Sequence, residues 1–326
     1  MNILLTGATG FIGGHLLRRL RSMGHNVRCL VRSRAKAQPL ESLGARIVIG
    51  DLSTSTEWKT ALTDTDAVYH LAGVTRTRSD REYYTGNQIA TRHLVDACLQ
   101  VGHRLQRFVH VSSLAAVGPS VGGDPLTEDA SFHPVSDYGR SKMLGEVEAR
   151  RLSSRVPVTI LRPSAVYGPH ERDLLEYFKL IGRGVQLLIG FGRKLLNLIY
   201  ADDLVDGIIL AGESPRAIGE TYFLGSGRDY TTEEIGSTIA DAVGRRPVRL
   251  HVPHTIVLLA GAVAEVYGRL TDRQIFFNIQ KAREAVQPCW SCSIEKARAQ
   301  LGFRPRVSLV EGIWKTYDWY RMKGWL

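Results

Sequence analysis

The feature that most limits the fold of this chain is a regular alternation of two kinds of segment through its first half. Short runs rich in β-branched and aromatic residues alternate with longer runs whose apolar residues recur at helical spacing. The predicted strands are residues 2–6, 26–31, 46–49, 67–71, 107–112 and 157–162. The predicted helices between them are residues 11–23, 54–63, 81–102 and 138–154. This order predicts a doubly wound α/β fold, in which a parallel sheet carries helices on both faces.

The first predicted strand and helix are joined by the sequence TGATGFIGG, which begins at Thr6. Gly7 permits a tight turn, Gly10 lets a pyrophosphate approach the backbone, and Gly13 lets the helix pack against the sheet. The start of the helix offers free N–H groups and a partial positive charge to phosphates. We therefore predict a dinucleotide site here. The spacing G-x-x-G-x-x-G differs from the usual G-x-G-x-x-G fingerprint, and a purely structural turn is the alternative.

The residues after the second predicted strand indicate which dinucleotide binds. An acidic residue there suits the 2′-hydroxyl of NAD, whereas an arginine suits the 2′-phosphate of NADP. Arg32 follows the strand directly, and no Asp or Glu lies between Val27 and Gln38. We predict NADP, with NAD as the alternative. Arg32 would bind the phosphate, or would otherwise be a solvated loop cation.

Two other loop sequences follow predicted strands, where ligands of an open α/β sheet bind. The sequence GDL, with Asp51 and Leu52, ends the third strand, and we expect it to contact the adenine ring. The sequence LAG, with Leu71, Ala72 and Gly73, ends the fourth strand, where small residues let the cofactor lie close.

A tyrosine, a lysine and two serines form the candidate catalytic group. Tyr138 and Lys142 are four residues apart in YGRSK, and therefore share one face of a helix. A nearby ammonium lowers the pKa of a tyrosine hydroxyl, ordinarily about 10, towards neutrality. Ser112 and Ser113 end the fifth predicted strand. Serine and tyrosine hydroxyls together can hold a carbonyl oxygen while a nicotinamide delivers hydride; buried structural hydroxyls are the alternative.

These motifs together resemble the extended short-chain dehydrogenases/reductases, of the NAD-dependent epimerase/dehydratase and 3β-hydroxysteroid dehydrogenase/dihydroflavonol reductase-like type. The resemblance covers essentially all 326 residues. It is carried by TGATGFIG, GDL, LAG, Asn87, HVSSLAAVG, YGRSK, LRPSAVYGP, ADDL at 201–204 and residues 301–320. It implies a Rossmann fold, an enzymatic activity and a homodimer built partly from helices 81–102 and 138–154.

The resemblance also implies a role for individual residues. Tyr138 would donate or accept the proton, while Lys142 would bind the nicotinamide ribose and lower the pKa of Tyr138. Ser113 would be the catalytic hydroxyl, with Ser112 as its neighbour in that role. Phe11 and Ile12 would join the three glycines around the pyrophosphate. The residues that would pass beside the nicotinamide are Pro163, Ala165 and Val166.

Beyond residue 168 the alternation loosens, and residues 171–194 and 228–326 are predicted to be rich in helix. We expect a cofactor-binding domain of residues 1–168, to which 195–225 return. A smaller, discontinuous C-terminal substrate lobe would comprise 169–194 and 226–326. His170 lies there and would either touch the substrate or be an ordinary loop histidine.

Departures from the family pattern narrow the predicted reaction. Ala165 stands where nucleotide-sugar epimerases often have an Asn that contacts the sugar nucleotide, and alanine cannot make that hydrogen bond. Leu114 and Ala115 stand where sugar 4,6-dehydratases carry two acids. We therefore predict an NADP(H)-dependent oxidoreductase that interconverts a small-molecule ketone and a secondary alcohol. The alternatives are an epimerase that retains its cofactor and a non-catalytic cofactor-binding scaffold.

Composition limits the partners and the location. The net charge is +10, but the arginines are spread along the chain without interleaved aromatics, so we predict no nucleic-acid binding. The N-terminus lacks the pattern of a signal peptide, which predicts a cytoplasmic protein. Residues 255–268 are apolar but interrupted by Glu265, which predicts a buried amphipathic helix, with membrane-surface contact as the alternative. Cys289 and Cys292 form a lone C-x-x-C, and no metal site is predicted.

Overall fold

The computed structural model describes residues 1–54, 56–77, 79–101, 105–271 and 277–326. The strands are β1 (Asn2–Thr6), β2 (Asn26–Val31), β3 (Arg46–Ile49), β4 (Ala67–His70), β5 (Arg107–Val111), β6 (Val158–Pro163), β7 (Ala165–Tyr167), β8 (Val185–Ile189), β9 (Leu195–Tyr200), β10 (Thr221–Leu224), β11 (Asp229–Thr231), β12 (Val248–Val252) and β13 (Cys289–Trp290).

The helices are α1 (Phe11–Ser22), α2 (Gln38–Glu41), α3 (Asp80–Tyr83), α4 (Ala90–Val101), α5 (Leu114–Val117), α6 (Asp137–Arg150), α7 (Asp173–Gly182), α8 (Ala201–Glu213), α9 (Thr232–Val243), α10 (His254–Thr271), α11 (Ile279–Ala285), α12 (Glu295–Leu301) and α13 (Leu309–Met322). A π-helical segment, Tyr84–Ile89, joins α3 to α4. Short 3₁₀ helices lie at Arg34–Lys36, Glu57–Leu62 and Pro215–Ala217.

Seven strands form the central sheet in the order β10–β6–β5–β4–β1–β2–β3, and every neighbouring pair is parallel. This confirms the predicted α/β fold. The strand order reverses between β1 and β4, since β2 and β3 lie on one side of β1 and β4 to β6 on the other. At such a reversal the loops after adjacent strands diverge and leave a crevice at the carboxyl edge, where ligands bind in open sheets of this kind.

Helices cover both faces of the sheet because successive side chains of a strand point to opposite faces. Ile3 and Leu5 of β1 lie in one core cluster with the apolar residues of α1 and α8. Leu4 lies in a second cluster with those of α4 and α6. All of these positions on β1 are essentially inaccessible to solvent. The chain therefore holds α6, the helix that carries YGRSK, against the sheet beside β5 and β6.

The sequence pattern of residues 197–211 predicts a strand followed by a helix, which agrees with β9 and α8, but the C-terminal half contains further strands that the pattern did not predict. β11, β9 and β13 form a second sheet, to which β7 adds by pairing with β9, and β8 pairs with β12 in a third. These strands have five residues or fewer, apart from β9 with six, and are too short to show an alternating pattern. Of the segment 195–225, α8 and β10 return to the central sheet, whereas β9 belongs to the second one.

Candidate active site

The glycine-rich turn packs closely against the end of β4. Gly7 has a φ of 78°, and a Cβ atom there would lie 2.6 Å from the backbone nitrogen of Ala72. A Cβ atom on Gly13 would lie 2.1 Å from the carbonyl oxygen of Gly7. Neither position can accept a larger residue without displacing backbone. The turn and the first turn of α1 are therefore held as one unit at the strand-order reversal.

The first turn of α1 is open to an anion. Gly10 caps the helix and has no side chain to accept the N–H groups that follow, and no acidic residue lies in the first turn. These N–H groups lack intrahelical acceptors, and the helix dipole adds partial positive charge. The glycine turn thus fits a diphosphate, whose oxygens would take the place of a side-chain cap.

Arg32 extends from the next strand into solvent. It directly follows β2, its side chain is exposed, and within the described residues it has neither an ion-pair nor a hydrogen-bond partner. Asp51, at the end of β3, accepts hydrogen bonds from the backbone and hydroxyl of Ser53, at 2.8 and 2.6 Å. The side chain of Leu52, which was also expected at the adenine ring, is buried in the core cluster that includes the apolar residues of α4.

Asn87 fixes the loop that follows β4. Its Oδ1 atom accepts a hydrogen bond from the Val74 backbone nitrogen at 2.7 Å, and its amide nitrogen donates to the Val74 carbonyl at 3.0 Å. The same amide donates to Ser141 Oγ on α6 at 2.8 Å. A Cβ atom on Gly73 would lie 2.9 Å from Asn87 Oδ1 and 3.7 Å from Lys142 Nζ. Glycine here leaves room beside the lysine.

Ser113 and Tyr138 meet at the end of β5. Ser113 caps α5, where its Oγ accepts a hydrogen bond from the Ala115 nitrogen at 3.1 Å. Tyr138 lies in the first turn of α6, which Ser136 caps. Burial raises the pKa of the Tyr138 hydroxyl, and a hydrogen-bonding interaction with Ser113 opposes that rise. The fold therefore brings together two of the three predicted catalytic residues through their side chains.

Lys142 lies one turn after Tyr138, and its ammonium is turned to the sheet. Its Nζ donates a hydrogen bond to the Val111 carbonyl at 2.7 Å. Burial lowers the pKa of Lys142 to about 8, and the carboxylate of Glu146 opposes this change. Lys142 is only 6% exposed. The three predicted catalytic residues thus lie along the start of α6 and the end of β5.

A second lysine, from α11, acts on Tyr138. The charge of Lys281 lowers the pKa of Tyr138, and Glu284 and Tyr83 raise it, although burial remains the largest effect. Lys281 pairs with Glu284 at 3.4 Å and faces Asp173 of α7 at 3.9 Å. Glu284 in turn accepts a hydrogen bond from the Ser136 hydroxyl at 2.6 Å. Sequence reasoning missed Lys281 and Glu284, because α11 carries no motif and meets α6 only in the folded chain.

A buried ion pair anchors α6 to β6. Arg162 donates to both carboxylate oxygens of Glu146, at 3.0 and 2.9 Å, and both side chains are almost wholly inaccessible. A third donor of Arg162 reaches the Glu128 carbonyl at 3.1 Å. Glu146 is one turn beyond Lys142, so this pair sets the position of the helix that carries Tyr138 and Lys142. Arg162 is the arginine of the RP sequence in β6.

Three other residues that the sequence predicted for the site, Ser112, Ala165 and His170, lie in different surroundings. Ser112 is buried, and its hydroxyl has no hydrogen-bond partner within the described ranges. Ala165, the first residue of β7, is exposed. His170 packs at 4.3 Å on Trp319 of α13 and faces His15 of α1 at 6.0 Å. His170 therefore belongs to an aromatic cluster between those two helices, and burial lowers its pKa to about 4.

In the part of the chain that the structure describes, no group of three or more His, Cys, Asp or Glu side chains could hold a metal ion. Cys289 and Cys292 are buried thiols, and burial raises the pKa of Cys292. Over the same residues, no helix is both long and apolar enough to cross a bilayer.

Comparison with known proteins identifies the family. The sequence model described as the NAD dependent epimerase/dehydratase family matches residues 3–225. The ceramide reductase of Caulobacter vibrioides is 31% identical over 99% of this chain and 96% of that protein. The 2-alkyl-3-oxoalkanoate reductase of Shewanella oneidensis is 28% identical over 95% and 84%.

The fold of this chain matches that of a solved structure over nearly its whole length. The UDP-glucuronic acid 4-epimerase from Bacillus cereus, in complex with UDP-glucuronic acid and NAD, is 25% identical, with a TM-score of 0.79 over 99% of this chain and 100% of that one. The predicted resemblance is confirmed. The chain belongs to the NAD-dependent epimerase/dehydratase family and is an NAD(P)-dependent reductase or epimerase of the extended short-chain dehydrogenase/reductase type.

Proposed function

We propose that the protein is an NADP(H)-dependent oxidoreductase that interconverts a ketone and a secondary alcohol. The observation that supports this function is the meeting of the Ser113 and Tyr138 side chains at the end of β5, with Lys142 one turn along α6. Two hydroxyl groups directed at one point can hold a single carbonyl oxygen and give it a proton.

The crevice at the strand-order reversal is assigned to the cofactor, and its local structure fits one. The uncapped first turn of α1 would bind the pyrophosphate, and exposed Arg32 would bind the 2′-phosphate. The residues assigned to the cofactor are Gly7, Gly10, Phe11, Ile12, Gly13, Arg32, Asp51, Leu71, Ala72, Gly73, Tyr138, Lys142, Pro163, Ala165 and Val166. The bound nicotinamide would supply or accept a hydride at the substrate carbon.

The chain's own residues would manage the proton. In reduction, the Tyr138 hydroxyl donates its proton to the carbonyl oxygen while the Ser113 hydroxyl donates a hydrogen bond to the same atom. The positive charge of Lys281 then stabilises the phenolate that remains. Lys142, whose ammonium donates to the Val111 carbonyl, is assigned the same role only by the family resemblance. In oxidation the phenolate takes the proton back from the alcohol. Asn87 and the pair of Arg162 with Glu146 position these groups through the loop after β4 and through α6.

Residue identities favour net reduction over epimerisation. Ala165 cannot provide the amide that sugar-nucleotide epimerases often use, and Leu114 and Ala115 cannot serve as the acids of a dehydratase. The names of two relatives point the same way, because both are reductases, and the molecules in their names, ceramide and 2-alkyl-3-oxoalkanoate, carry alkyl chains. We assign the substrate to ketones attached to a long alkyl chain. Its apolar part would lie in the C-terminal lobe of residues 169–194 and 226–326.

Epimerisation with a retained cofactor is the second candidate. It is supported by the fold shared with the Bacillus cereus epimerase in complex with NAD. Such an enzyme would return the hydride to the opposite face of the substrate and leave no reduced nicotinamide behind.

Absorbance of reduced nicotinamide separates the two candidates. We expect NADPH to be consumed when a 2-alkyl-3-oxoalkanoate or an N-acyl aminoketone with long alkyl chains is added. An isomerised sugar nucleotide with no net change in absorbance would instead identify an epimerase.

The same assay tests the catalytic assignment. Tyr138→Phe should lower kcat by about a thousandfold or more, since the proton donor is lost. Tyr222→Phe removes the hydroxyl of another buried tyrosine, which binds Gln300 and the Arg216 carbonyl, and should keep its turnover. Unaltered turnover in Tyr138→Phe would exclude the assignment.

A further inference from the structure

Helix α10 has apolar residues on two opposite faces. One face packs against the protein, and the other is exposed to solvent. Over its 18 residues the helix has two charged residues, Glu265 and Arg269. The covered face packs on α11, where a Cβ atom on Gly261 would lie 2.7 Å from the Ala282 Cβ. The other face is between 51% and 82% exposed, and consists of Ile256, Leu259, Val263, Val266, Tyr267 and Leu270. We call these six residues the α10 surface.

Exposed apolar residues continue along the strand that leads into α10. In the pairing of β8 with β12, Leu187 lies beside Leu250, and both are exposed. Val248 is 65% exposed on the same side of β12, and Phe191, just beyond β8, is 76% exposed. Contiguous exposed apolar surface is uncommon on proteins that remain alone in water, and it marks a site of interaction.

The stretch of chain that carries this surface has more positive than negative charges. From Asp241 to Arg273 it contains five arginines and three acidic residues. Arg245 and Arg246 are exposed just before β12, whereas Arg249 lies on the other side of the strand from Val248 and donates to Ser237 of α9 at 3.1 Å. Glu265 is half-buried on the side of α10 that faces α11. A surface of this composition complements a layer with an apolar interior and anionic headgroups. A helix with an apolar face and basic flanks lies in the plane of such an interface.

We propose that the α10 surface binds an anionic lipid bilayer, with α10 lying in the headgroup region. A second copy of the chain is a weaker fit. It would place the arginines of one copy near those of the other, and the predicted homodimer would use α4 and α6 instead. The helix does not need to cross the membrane for this role.

The position of α11 gives this surface a consequence for the reaction. α11 lies against the covered face of α10, and it carries Lys281 and Glu284, whose charges act on Tyr138. A bilayer at the α10 surface is therefore separated from the proposed proton donor by α10 and α11. A protein bound there would hold Tyr138 near the ketones with long alkyl chains that partition into the bilayer; this step rests on the proposed function.

Sedimentation with vesicles tests the binding, with no need for turnover. We expect the protein to sediment with vesicles of equal parts phosphatidylglycerol and phosphatidylcholine, and far less with phosphatidylcholine alone. Val263→Glu, in the middle of the α10 surface, should weaken binding about tenfold or more. The matched control is Val310→Glu on α13, since Val310 is 56% exposed and Val263 60%. It should bind as the parent does.

Three results would overturn the proposal: no sedimentation of the parent with either vesicle, equal binding by Val263→Glu and the parent, or equal loss in both valine variants. Light scattering adds a fourth. A parent dimer that Val263→Glu converts to monomer, with no vesicle binding, would make this face a contact between copies. NADPH consumption with a short, water-soluble ketone should be unchanged in Val263→Glu. If no ketone is reduced by any form, the proposed function fails while the vesicle result stands.

Discussion

The Lys142 ammonium donates a hydrogen bond to the Val111 carbonyl across 2.7 Å and thereby joins α6 to the end of β5. The contact holds a charged group in a position where solvent hardly reaches it. Burial of that charge lowers the pKa of Lys142 to about 8. A residue that is proposed to act in catalysis thus lies in an environment that disfavours its charged form.

Replacement of Lys142 should therefore stabilise the protein while it abolishes activity. The pKa in the folded state, about 8, is below the ordinary value of 10.5, so the unfolded chain binds the proton more tightly between these values. At pH 7 the charged form is buried at a cost, and Lys142→Met should raise the free energy of unfolding by about 1–3 kcal/mol. The gain should shrink as the pH rises from 8 to 10.5, as urea unfolding at several pH values would show.

Lys194 is the matched control for that experiment. It is also buried, and burial lowers its pKa to about 8, but it lies before β9 and donates its hydrogen bond to the Ala285 carbonyl at the end of α11. Lys194→Met should show a stability gain of the same sign with turnover retained. A loss of stability in Lys142→Met at pH 7 would mean that the Val111 carbonyl and Glu146 compensate for the burial of the charge.

Two adjacent glycines of α1 should respond oppositely to alanine. A Cβ atom on Gly13 would lie 2.1 Å from the Gly7 carbonyl oxygen, whereas one on Gly14 would be 3.8 Å from its nearest neighbour, the Ala8 oxygen. Gly13→Ala should lower Tm by several degrees and weaken NADPH binding, measured by its fluorescence, by about tenfold or more. Gly14→Ala should leave the Tm and the affinity for NADPH unchanged. If Gly13→Ala and Gly14→Ala had the same Tm and the same affinity for NADPH, the close packing of Gly13 on the Gly7 carbonyl would not be required for the turn.

The buried pair on α6 should matter far more for stability than an exposed one. Glu146→Gln leaves the Arg162 charge without its partner in a position that is almost inaccessible, and should cost about 3–5 kcal/mol in urea unfolding. Glu311→Gln breaks the exposed pair with Lys315 on α13, where the change should stay within about 0.5 kcal/mol. Similar effects at the two sites would rule out the anchoring role of Arg162.

Arg32 should determine the preference between cofactors. Arg32→Asp puts a carboxylate where the 2′-phosphate is proposed to bind, and should weaken NADPH binding relative to NADH by about tenfold to a hundredfold. Arg155→Asp is the control, because Arg155 is exposed just before β6, at the opposite edge of the sheet. An unchanged ratio of the two dissociation constants in Arg32→Asp would reject Arg32 as the phosphate ligand.

Local pattern was sufficient for much of the site. Ser113, Tyr138 and Lys142 were predicted as a group, because the carboxyl end of a strand and a spacing of four on a helix are both legible in the sequence. The glycine turn was predicted for the same reason. The sequence left two alternatives for His170, a contact with the substrate or an ordinary loop histidine, because it lies in the predicted substrate lobe. Only the fold showed that it packs on Trp319, in a cluster between α1 and α13.

The sequence by itself determined the parallel sheet, the turn at the start of α1 and the position of Tyr138 and Lys142 on one helix, since these depend on hydrophobic period, glycine positions and short spacings. Only the tertiary structure decided which distant residues join them. Lys281 follows Tyr138 by more than a hundred residues, and it acts on that hydroxyl because α11 is held between α10 and the start of α6. The same packing covers one face of α10 and leaves the other in solvent. Burial and electrostatic contact depend on distance in space, and no local pattern encodes that distance.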